Sequence, residues 1–167
     1  SSQSMVVGHH LVELFREVGL PGGVFNYVPG PSSVIGDYLV DSPKVSVIAF
    51  TGSMNVGLRI IERAGRTAEG QTSVKKVVCE MGGKNAIVLD DQFDHDAAIR
   101  DVLYAAFGYQ GQKCSACSRL IVLDTVYDRF VPALVEAARR LKIGPAEDPR
   151  NYMGPVIDEK AQQSILR

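Results

Sequence analysis

Helical and strand-like segments alternate along most of this 167-residue chain, and this alternation constrains the fold more than any other feature. Apolar residues recur at steps of three and four from Val7 to Val18, which predicts an amphipathic helix. Short apolar runs at 45–50 and 74–79 predict buried strands. Strands that alternate with helices favour a parallel sheet with helices on its faces, so the sequence predicts an α/β fold.

The remaining elements are predicted from the same patterns. Strands are expected at 24–28, 86–89 and 120–123, and helices at 34–39, 58–64, 99–107, 125–141 and from 158 onward. Asp94 is predicted to cap the helix at 99–107, and Thr125 with Asp128 to form a capping box. The EMGGK stretch at 80–84 interrupts the alternation, so we place one domain at 1–82 and a second at 83–167.

The net charge and the number of cysteines limit the functions that are expected for this chain. Eighteen basic and nineteen acidic residues give a net charge of -1, which provides no electrostatic case for nucleic acid or an anionic membrane. No apolar run approaches the ~18 residues of a membrane-spanning helix. Three cysteines favour free thiols in a reducing compartment, which predicts the cytoplasm, or the mitochondrial matrix if the source is eukaryotic. The chain begins at Ser1, and we expect it to be an internal piece of a longer protein.

Two of the three cysteines lie in the polar, Gly-rich segment GYQGQKCSACSR, at 108–119. A cysteine thiolate is a strong nucleophile, and small neighbours let a substrate approach it, so Cys114 is the candidate nucleophile. Cys79, inside an apolar strand, is predicted to be an inert core residue. Cys114 and Cys117 also form a CxxC pattern, which leaves a redox dithiol open as an alternative. No histidine lies at metal-ligand spacing from them, so no metal site is predicted.

Two further motifs carry candidate chemistry. Glu80 ends a predicted strand beside two glycines and could serve as a base, although a solvated strand-end acid is the commoner case. In FTGSMNVG, at 50–57, a strand leads through Gly52 and Ser53 into a helix whose N-terminal N–H groups suit phosphate oxygens. This is not the usual GxGxxG pattern, and the spacing alone favours an ordinary strand-to-helix turn over a phosphate site.

Taken together, FTGSMNVG, CEMGGKNAIV (79–88) and GQKCSACSR (111–119) resemble the NAD(P)-dependent aldehyde dehydrogenase superfamily, over essentially the whole chain. AFGYQGQKCSACSR, GLPGGVFNYVPGP and NYMGPVIDEKA are similar to its 1-pyrroline-5-carboxylate dehydrogenase branch. The resemblance implies a Rossmann-like cofactor-binding part, followed by the first part of an α/β catalytic domain. It implies oxidation of L-glutamate γ-semialdehyde to glutamate in proline catabolism. Another aldehyde dehydrogenase subfamily and an inactive cofactor-binding or packing fragment are the alternatives.

The same resemblance implies a role for individual residues. Cys114 would be the nucleophile, Glu80 the general base, and Ser115 a contact of the substrate carboxylate. Cofactor contacts are implied for Gly52, Ser53 and Gly57 at the pyrophosphate, for Met81 near the nicotinamide and for Gly30 near the adenine. The family's oxyanion Asn has no counterpart in this sequence, so the piece alone is expected to be inactive.

The resemblance also implies a cofactor and partners. The cofactor is NAD, with NADP as the alternative, because the small Ser2 falls where the family often places an acid on the adenosine ribose. Expected partners are a small-molecule aldehyde, further copies in a homo-oligomer, and a fused or separate proline dehydrogenase. Nucleic acid and membrane insertion are not expected.

Overall fold

A computed structural model describes residues 2–166 and confirms the α/β class. The helices are α1 (Met5–Glu17), α2 (Ser32–Asp41), α3 (Met54–Ala64), α4 (His95–Phe107), α5 (Asp124–Arg139) and α6 (Glu159–Ile165). The strands are β1 (Val47–Gly52), β2 (Lys76–Met81), β3 (Asn85–Leu89) and β4 (Cys117–Val122), and short 3₁₀ turns lie at Ser2–Ser4 and Gly108–Gly111. In the described part of the chain, no helix is both long and apolar enough to cross a membrane.

The chain divides into two compact units, one that ends at Glu80 and one that starts at Met81. The division lies in the EMGGK stretch, just before the boundary placed after residue 82 from the sequence. The assignment of these units to a cofactor-binding domain and a catalytic domain stays a prediction.

The first unit is built on the pairing of β1 with β2. The Lys76 N–H, at the start of β2, donates to the Ser46 carbonyl, just before β1, at 2.8 Å. Apolar side chains of α2 and α3 form the core with those of the strands, namely Val40, Ile60, Ala64, Ile48, Phe50, Val77 and Cys79. The burial of these side chains removes apolar surface from water and holds the start of α3 next to the end of β1.

Ion pairs connect α2 to α3 along one side of the first unit. Asp37 and Asp41 lie one turn apart on α2, and they accept hydrogen bonds from Arg59 and Arg63 on α3. The bond to Asp41 is the main reason why the pKa of Arg63 is raised above its ordinary value. Such exposed pairs add little stability, but the matching one-turn spacing favours a single register between the two helices.

The second unit contains the parallel pair β3 and β4, in the register Ala86 to Arg119 through Leu89 to Val122. An irregularity falls between Asn85 and Ala86, at the start of the pairing. Leu89, Val102 and the fully buried Phe130 form the core where β3, α4 and α5 meet. This core takes Leu89, Leu120 and Val122 from the later residues of the two strands, whereas the loops of the candidate site precede the strand starts.

The predicted caps have different outcomes. Asp94 accepts a hydrogen bond from the Ala97 N–H at 2.9 Å, which confirms the cap of α4. The capping box at Thr125 is wrong, because α5 begins one residue earlier, at Asp124, with Leu123 at the N-cap position. The Asp124 carboxylate instead accepts from the Thr125 N–H at 2.8 Å.

The predicted strand at 24–28 is also wrong, since this segment has no regular secondary structure. The Val24 N–H donates to the Pro21 carbonyl at 3.3 Å in a turn, and the Phe25 ring packs edge-on against Phe15 of α1. An apolar run becomes a strand only when a neighbouring strand supplies the hydrogen bonds of a ladder. Residues 24–28 therefore have the apolar pattern of a strand but lack a paired strand.

Candidate functional site

Cys114 lies on an exposed turn between the 3₁₀ turn Gly108–Gly111 and β4. The Ala116 N–H donates to the Lys113 carbonyl at 3.1 Å, which closes the turn around Cys114 and Ser115. The Cys114 thiol is free and exposed, whereas Cys79 packs against the core of the first unit, as the sequence predicted. The structure therefore presents Cys114 to an approaching molecule, although its role as nucleophile stays a prediction.

Asn85 holds this turn from the neighbouring strand. Its side-chain amide donates to the Cys114 carbonyl at 2.7 Å and to the Ala116 carbonyl at 3.3 Å. Gly83 lies beside the same turn, since a Cβ built on it would be 3.8 Å from the Cys114 carbonyl oxygen. The segment that follows Glu80 thus supports the backbone of Cys114. Sequence reasoning missed Asn85, and a polar amide at the start of an apolar strand was the only signal that could have revealed it.

The backbone immediately before the turn is left-handed at three successive residues. The φ angles are 59° at Tyr109, 56° at Gln110 and 67° at Gly111. Non-glycine residues pay roughly 1–2 kcal/mol each for this conformation. Backbone strain of this kind is concentrated at functional sites, where the surrounding structure maintains it. Here the left-handed residues change the direction of the chain between the end of α4 and the Cys114 turn.

Gly111 is expected to be intolerant of a side chain. A Cβ at this position would lie 2.8 Å from the Ala106 carbonyl oxygen, and the positive φ adds strain. We expect Gly111→Ala to destabilise the complete protein by about 2–4 kcal/mol, because the added side chain must displace the backbone that leads to Cys114. The measurement is the free energy of unfolding in urea. Gly36→Ala is the matched control, because Gly36 lies inside α2 with ordinary φ and open space around it, so it should be neutral or stabilising. Equal stability of Gly111→Ala and Gly36→Ala would contradict a steric and conformational requirement for glycine at position 111.

A cavity of about 530 Å³ adjoins the turn and is lined by Tyr104, Gly108, Tyr109, Lys113 and Tyr152. The Lys113 ammonium lies 4.8 Å from the centre of the Tyr104 ring, a cation–π arrangement. Partial desolvation, and secondarily the nearby Tyr104, raises the pKa of Tyr152 above its ordinary value. Lys113 thus supplies one ammonium group, and the tyrosines supply hydroxyl groups, at the edge of this cavity.

Glu80 is exposed near the end of β2. The strand alternates, so the half-buried Cys79 and Met81 flank the exposed Glu80. The Cys79 thiol donates to the carbonyl of Gly57, on the buried side of α3, at 3.7 Å. The Glu80 carboxylate is therefore accessible to water, as a base must be, and its catalytic role stays a prediction.

The turn between β1 and α3 has the features of an anion site. Ser53 is the N-cap of α3 with extended backbone, and within residues 2–166 its hydroxyl makes no capping bond to the helix. The first turn of α3 carries no acidic residue in this described stretch, and Gly52 and Ser53 are exposed. The N–H groups of the first turn and the Ser53 hydroxyl are thus compatible with a pyrophosphate. Gly57 is buried, which supports close packing of α3 on β2.

The other two predicted cofactor residues lie in separate surroundings. Gly30 lines a cavity of about 720 Å³ in the first unit, together with Tyr27, Pro29 and Ser32. Met81 is half-buried at the start of the second unit. Their contacts with adenine and nicotinamide stay predictions.

Metal binding and dithiol redox chemistry are two other functions that cysteines can have. No group of three or more metal-ligating side chains occurs among the residues that the structure describes. Cys114 and Cys117 are both free, and the Cys117 thiol donates to the Arg119 carbonyl at 3.2 Å within its own strand. The structure therefore shows two free thiols, three positions apart in sequence, with no disulfide between Cys114 and Cys117.

Comparison with known proteins gives consistent matches along the chain. The family profile described as aldehyde dehydrogenase family matches residues 1–167. The 1-pyrroline-5-carboxylate dehydrogenase of Anoxybacillus flavithermus is 47% identical over 166 residues, which are 99% of this chain and 32% of that protein. This chain thus spans about a third of the length of the curated relatives that it matches.

Two solved structures are similar over nearly all of the chain. Proline utilization A (PutA) from Bdellovibrio bacteriovorus, inactivated by N-propargylglycine, has a TM-score of 0.96 and 51% identity, over 99% of this chain and 17% of that one. The 1-pyrroline-5-carboxylate dehydrogenase from Thermus with bound NAD has a TM-score of 0.92 and 45% identity, over 96% of this chain and 31% of that one.

Proposed function

Because this chain belongs to the aldehyde dehydrogenase family, we propose that the enzyme containing it oxidises L-glutamate γ-semialdehyde to glutamate with NAD. The observation that carries the proposal is the free, exposed Cys114 thiol on a turn that Asn85 holds in place. Relatives named 1-pyrroline-5-carboxylate dehydrogenase, at 47% and 45% identity, support this substrate over other aldehydes.

The proposed reaction begins at Cys114. Its thiolate adds to the aldehyde carbon and forms a thiohemiacetal. The oxyanion accepts a hydrogen bond from the Cys114 backbone N–H and from an Asn elsewhere in the complete enzyme, and one such donor is typically worth ~3 kcal/mol. The nicotinamide, when bound, supplies the hydride acceptor. Loss of hydride from the thiohemiacetal leaves Cys114 acylated as a thioester.

Glu80 is proposed to complete the reaction as general base. Its carboxylate takes a proton from water, the water attacks the thioester carbon, and Cys114 leaves as thiolate. The exposed position near the end of β2 supports this role, because the base must reach water. The two neighbouring glycines, Gly82 and Gly83, give the segment after Glu80 freedom to move.

The cofactor is proposed to bind at the helix terminus and the cavity described above. Gly52, Ser53 and the N-terminus of α3 would hold the pyrophosphate, with Gly57 close by in the first turns of the helix. Gly30 would lie near the adenine and Met81 near the nicotinamide. NAD is favoured because a similar structure contains it, and NADP is the alternative.

The substrate carboxylate is proposed to lie near the Cys114 turn. Ser115 is exposed beside the nucleophile and has a hydroxyl to donate. The neighbouring cavity adds the Lys113 ammonium and the Tyr152 hydroxyl, both suited to an anion. These groups favour an aldehyde that carries a carboxylate over one that does not.

A partner and a location are also proposed. This chain covers 17% of PutA but 31% of the Thermus enzyme, so a similar segment also occurs in a much longer chain. A fused or separate proline dehydrogenase is therefore a proposed partner. A homo-oligomer and a cytoplasmic location stay predictions from the family resemblance and the free thiols.

A comparison of substrates tests the proposal. We expect the complete enzyme to oxidise L-glutamate γ-semialdehyde with a kcat/KM at least about 100-fold above that for propanal, because polar groups built for a carboxylate are left unpaired by propanal. The measurement is NADH absorbance under steady-state conditions. Similar kcat/KM values for both aldehydes would instead favour another aldehyde dehydrogenase subfamily, and no turnover of either would overturn the enzyme assignment.

A further inference from the structure

Cys117 has no task in the proposed reaction, although it lies close to the nucleophile in sequence and structure. It is the first residue of β4, directly after the turn that carries Cys114. It is half-buried and free, and its thiol makes a hydrogen bond only to the Arg119 carbonyl among the contacts described for residues 2–166. The proposed reaction uses one thiol, that of Cys114, so it does not explain why a second thiol lies at position 117.

The chain turns sharply at Cys114 and Ser115, and Cys117 begins β4 directly after this turn. The hydrogen bond from Ala116 to Lys113 closes the turn, and the Asn85 amide joins the carbonyls of Cys114 and Ala116. CxxC is the spacing at which redox proteins close a disulfide between neighbouring thiols. A disulfide requires the exposed Cys114 side chain to turn toward Cys117 and the Cys117 thiol to give up its hydrogen bond to the Arg119 carbonyl, while the backbone of Cys117 stays fixed by its pairing with β3.

We propose that Cys117 is a resolving cysteine that forms a reversible disulfide with Cys114 when the enzyme meets a peroxide. The disulfide would protect the nucleophile from irreversible oxidation and would switch off activity until a dithiol reductant restores it. This inference goes beyond aldehyde oxidation, and the formation of the disulfide does not depend on the substrate.

The chemistry balances with hydrogen peroxide as oxidant. The Cys114 thiolate attacks one peroxide oxygen and, with a proton, gives a sulfenic acid and one water. The Cys117 sulfur then attacks the Cys114 sulfur, the S–O bond breaks, and the hydroxyl leaves as a second water. The two thiols together lose two electrons and two protons, and the peroxide is reduced to two waters. A dithiol reductant reverses the step by thiol–disulfide exchange.

The sequence provides a direct readout of this bond. Trypsin cleaves after Lys113 and Arg119, so both cysteines fall in one peptide, CSACSR, while Cys79 falls in another, VVCEMGGK. After treatment of the complete enzyme with hydrogen peroxide and then a thiol-alkylating reagent, we expect CSACSR to appear unalkylated and lighter by two hydrogens. The Cys79 peptide should be alkylated normally, which controls for general oxidation.

Activity provides the second readout. After the same peroxide treatment and then dithiothreitol, the wild-type enzyme should regain at least about tenfold more activity than Cys117→Ser, because Cys114 without a resolving thiol proceeds to sulfinic acid. Cys79→Ser is the matched control and should recover as the wild type does.

Two outcomes would overturn the inference. One is a CSACSR peptide that carries added oxygens on Cys114 and never loses two hydrogens. The other is equal recovery of the wild type and Cys117→Ser. The peptide result is independent of turnover, so a disulfide in an enzyme without aldehyde activity would contradict the proposed function while supporting the resolving cysteine.

Discussion

Cys114→Ala in the complete enzyme is expected to lower aldehyde-dependent NADH formation by at least about 10⁴-fold. The thiohemiacetal is the species that gives up hydride, and without the sulfur no such adduct forms. The variant loses only an exposed side-chain atom, so its stability should be nearly unchanged. The measurement is NADH absorbance at saturating aldehyde and NAD, together with NAD affinity by fluorescence.

The matched control is Cys117→Ala, which removes a sulfur from the same short segment. It should keep turnover within about threefold of the wild type, because Cys117 takes no part in aldehyde oxidation. Retained NAD affinity in Cys114→Ala would show that the loss arises at the chemical step. Substantial turnover in Cys114→Ala, or an equal loss in both variants, would mean that neither thiol acts as the sole nucleophile.

The helices could be predicted from the sequence because their signals are local. The apolar repeat of α1 and the cap at Asp94 depend on residues within a few positions of each other. The segment at 24–28 shows the limit of this reasoning, since a strand depends on a partner that is distant in sequence. At the start of α5, Asp124 and Thr125 allow alternative helix starts, and the structure has Asp124 in the first turn.

The candidate site shows the same division between local and distant signals. Cys114 was identifiable because a thiol in a polar, Gly-rich loop is unusual, whatever lies around it. The support from Asn85 was not identifiable, because it depends on the pairing of β3 with β4. The left-handed backbone at Tyr109 and Gln110 was equally hidden, since neither residue type favours that conformation as glycine does. Only Gly111 gave a local signal for it.

Glu80→Gln is expected to separate the two halves of the reaction. Gln keeps the shape of the side chain but cannot accept a proton from water, so hydrolysis of the thioester should slow by about 10²–10⁴-fold. Hydride loss comes earlier and should persist, giving a burst of about one equivalent of NADH per active site, followed by slow turnover. The acyl group should be found by mass spectrometry on the CSACSR peptide that contains Cys114.

Glu69→Gln is the matched control, because Glu69 is an exposed Glu in the same unit with no role in the proposal. It should show wild-type turnover without a burst beyond that of the wild type. Comparison of the NADH burst with the steady-state rate of Glu80→Gln shows which proton transfer Glu80 performs. If burst and steady state fall together, Glu80 acts before the thioester, by taking the proton from Cys114 itself. If neither falls, water is activated by another group, and the accessibility of Glu80 near the end of β2 reflects only solvation.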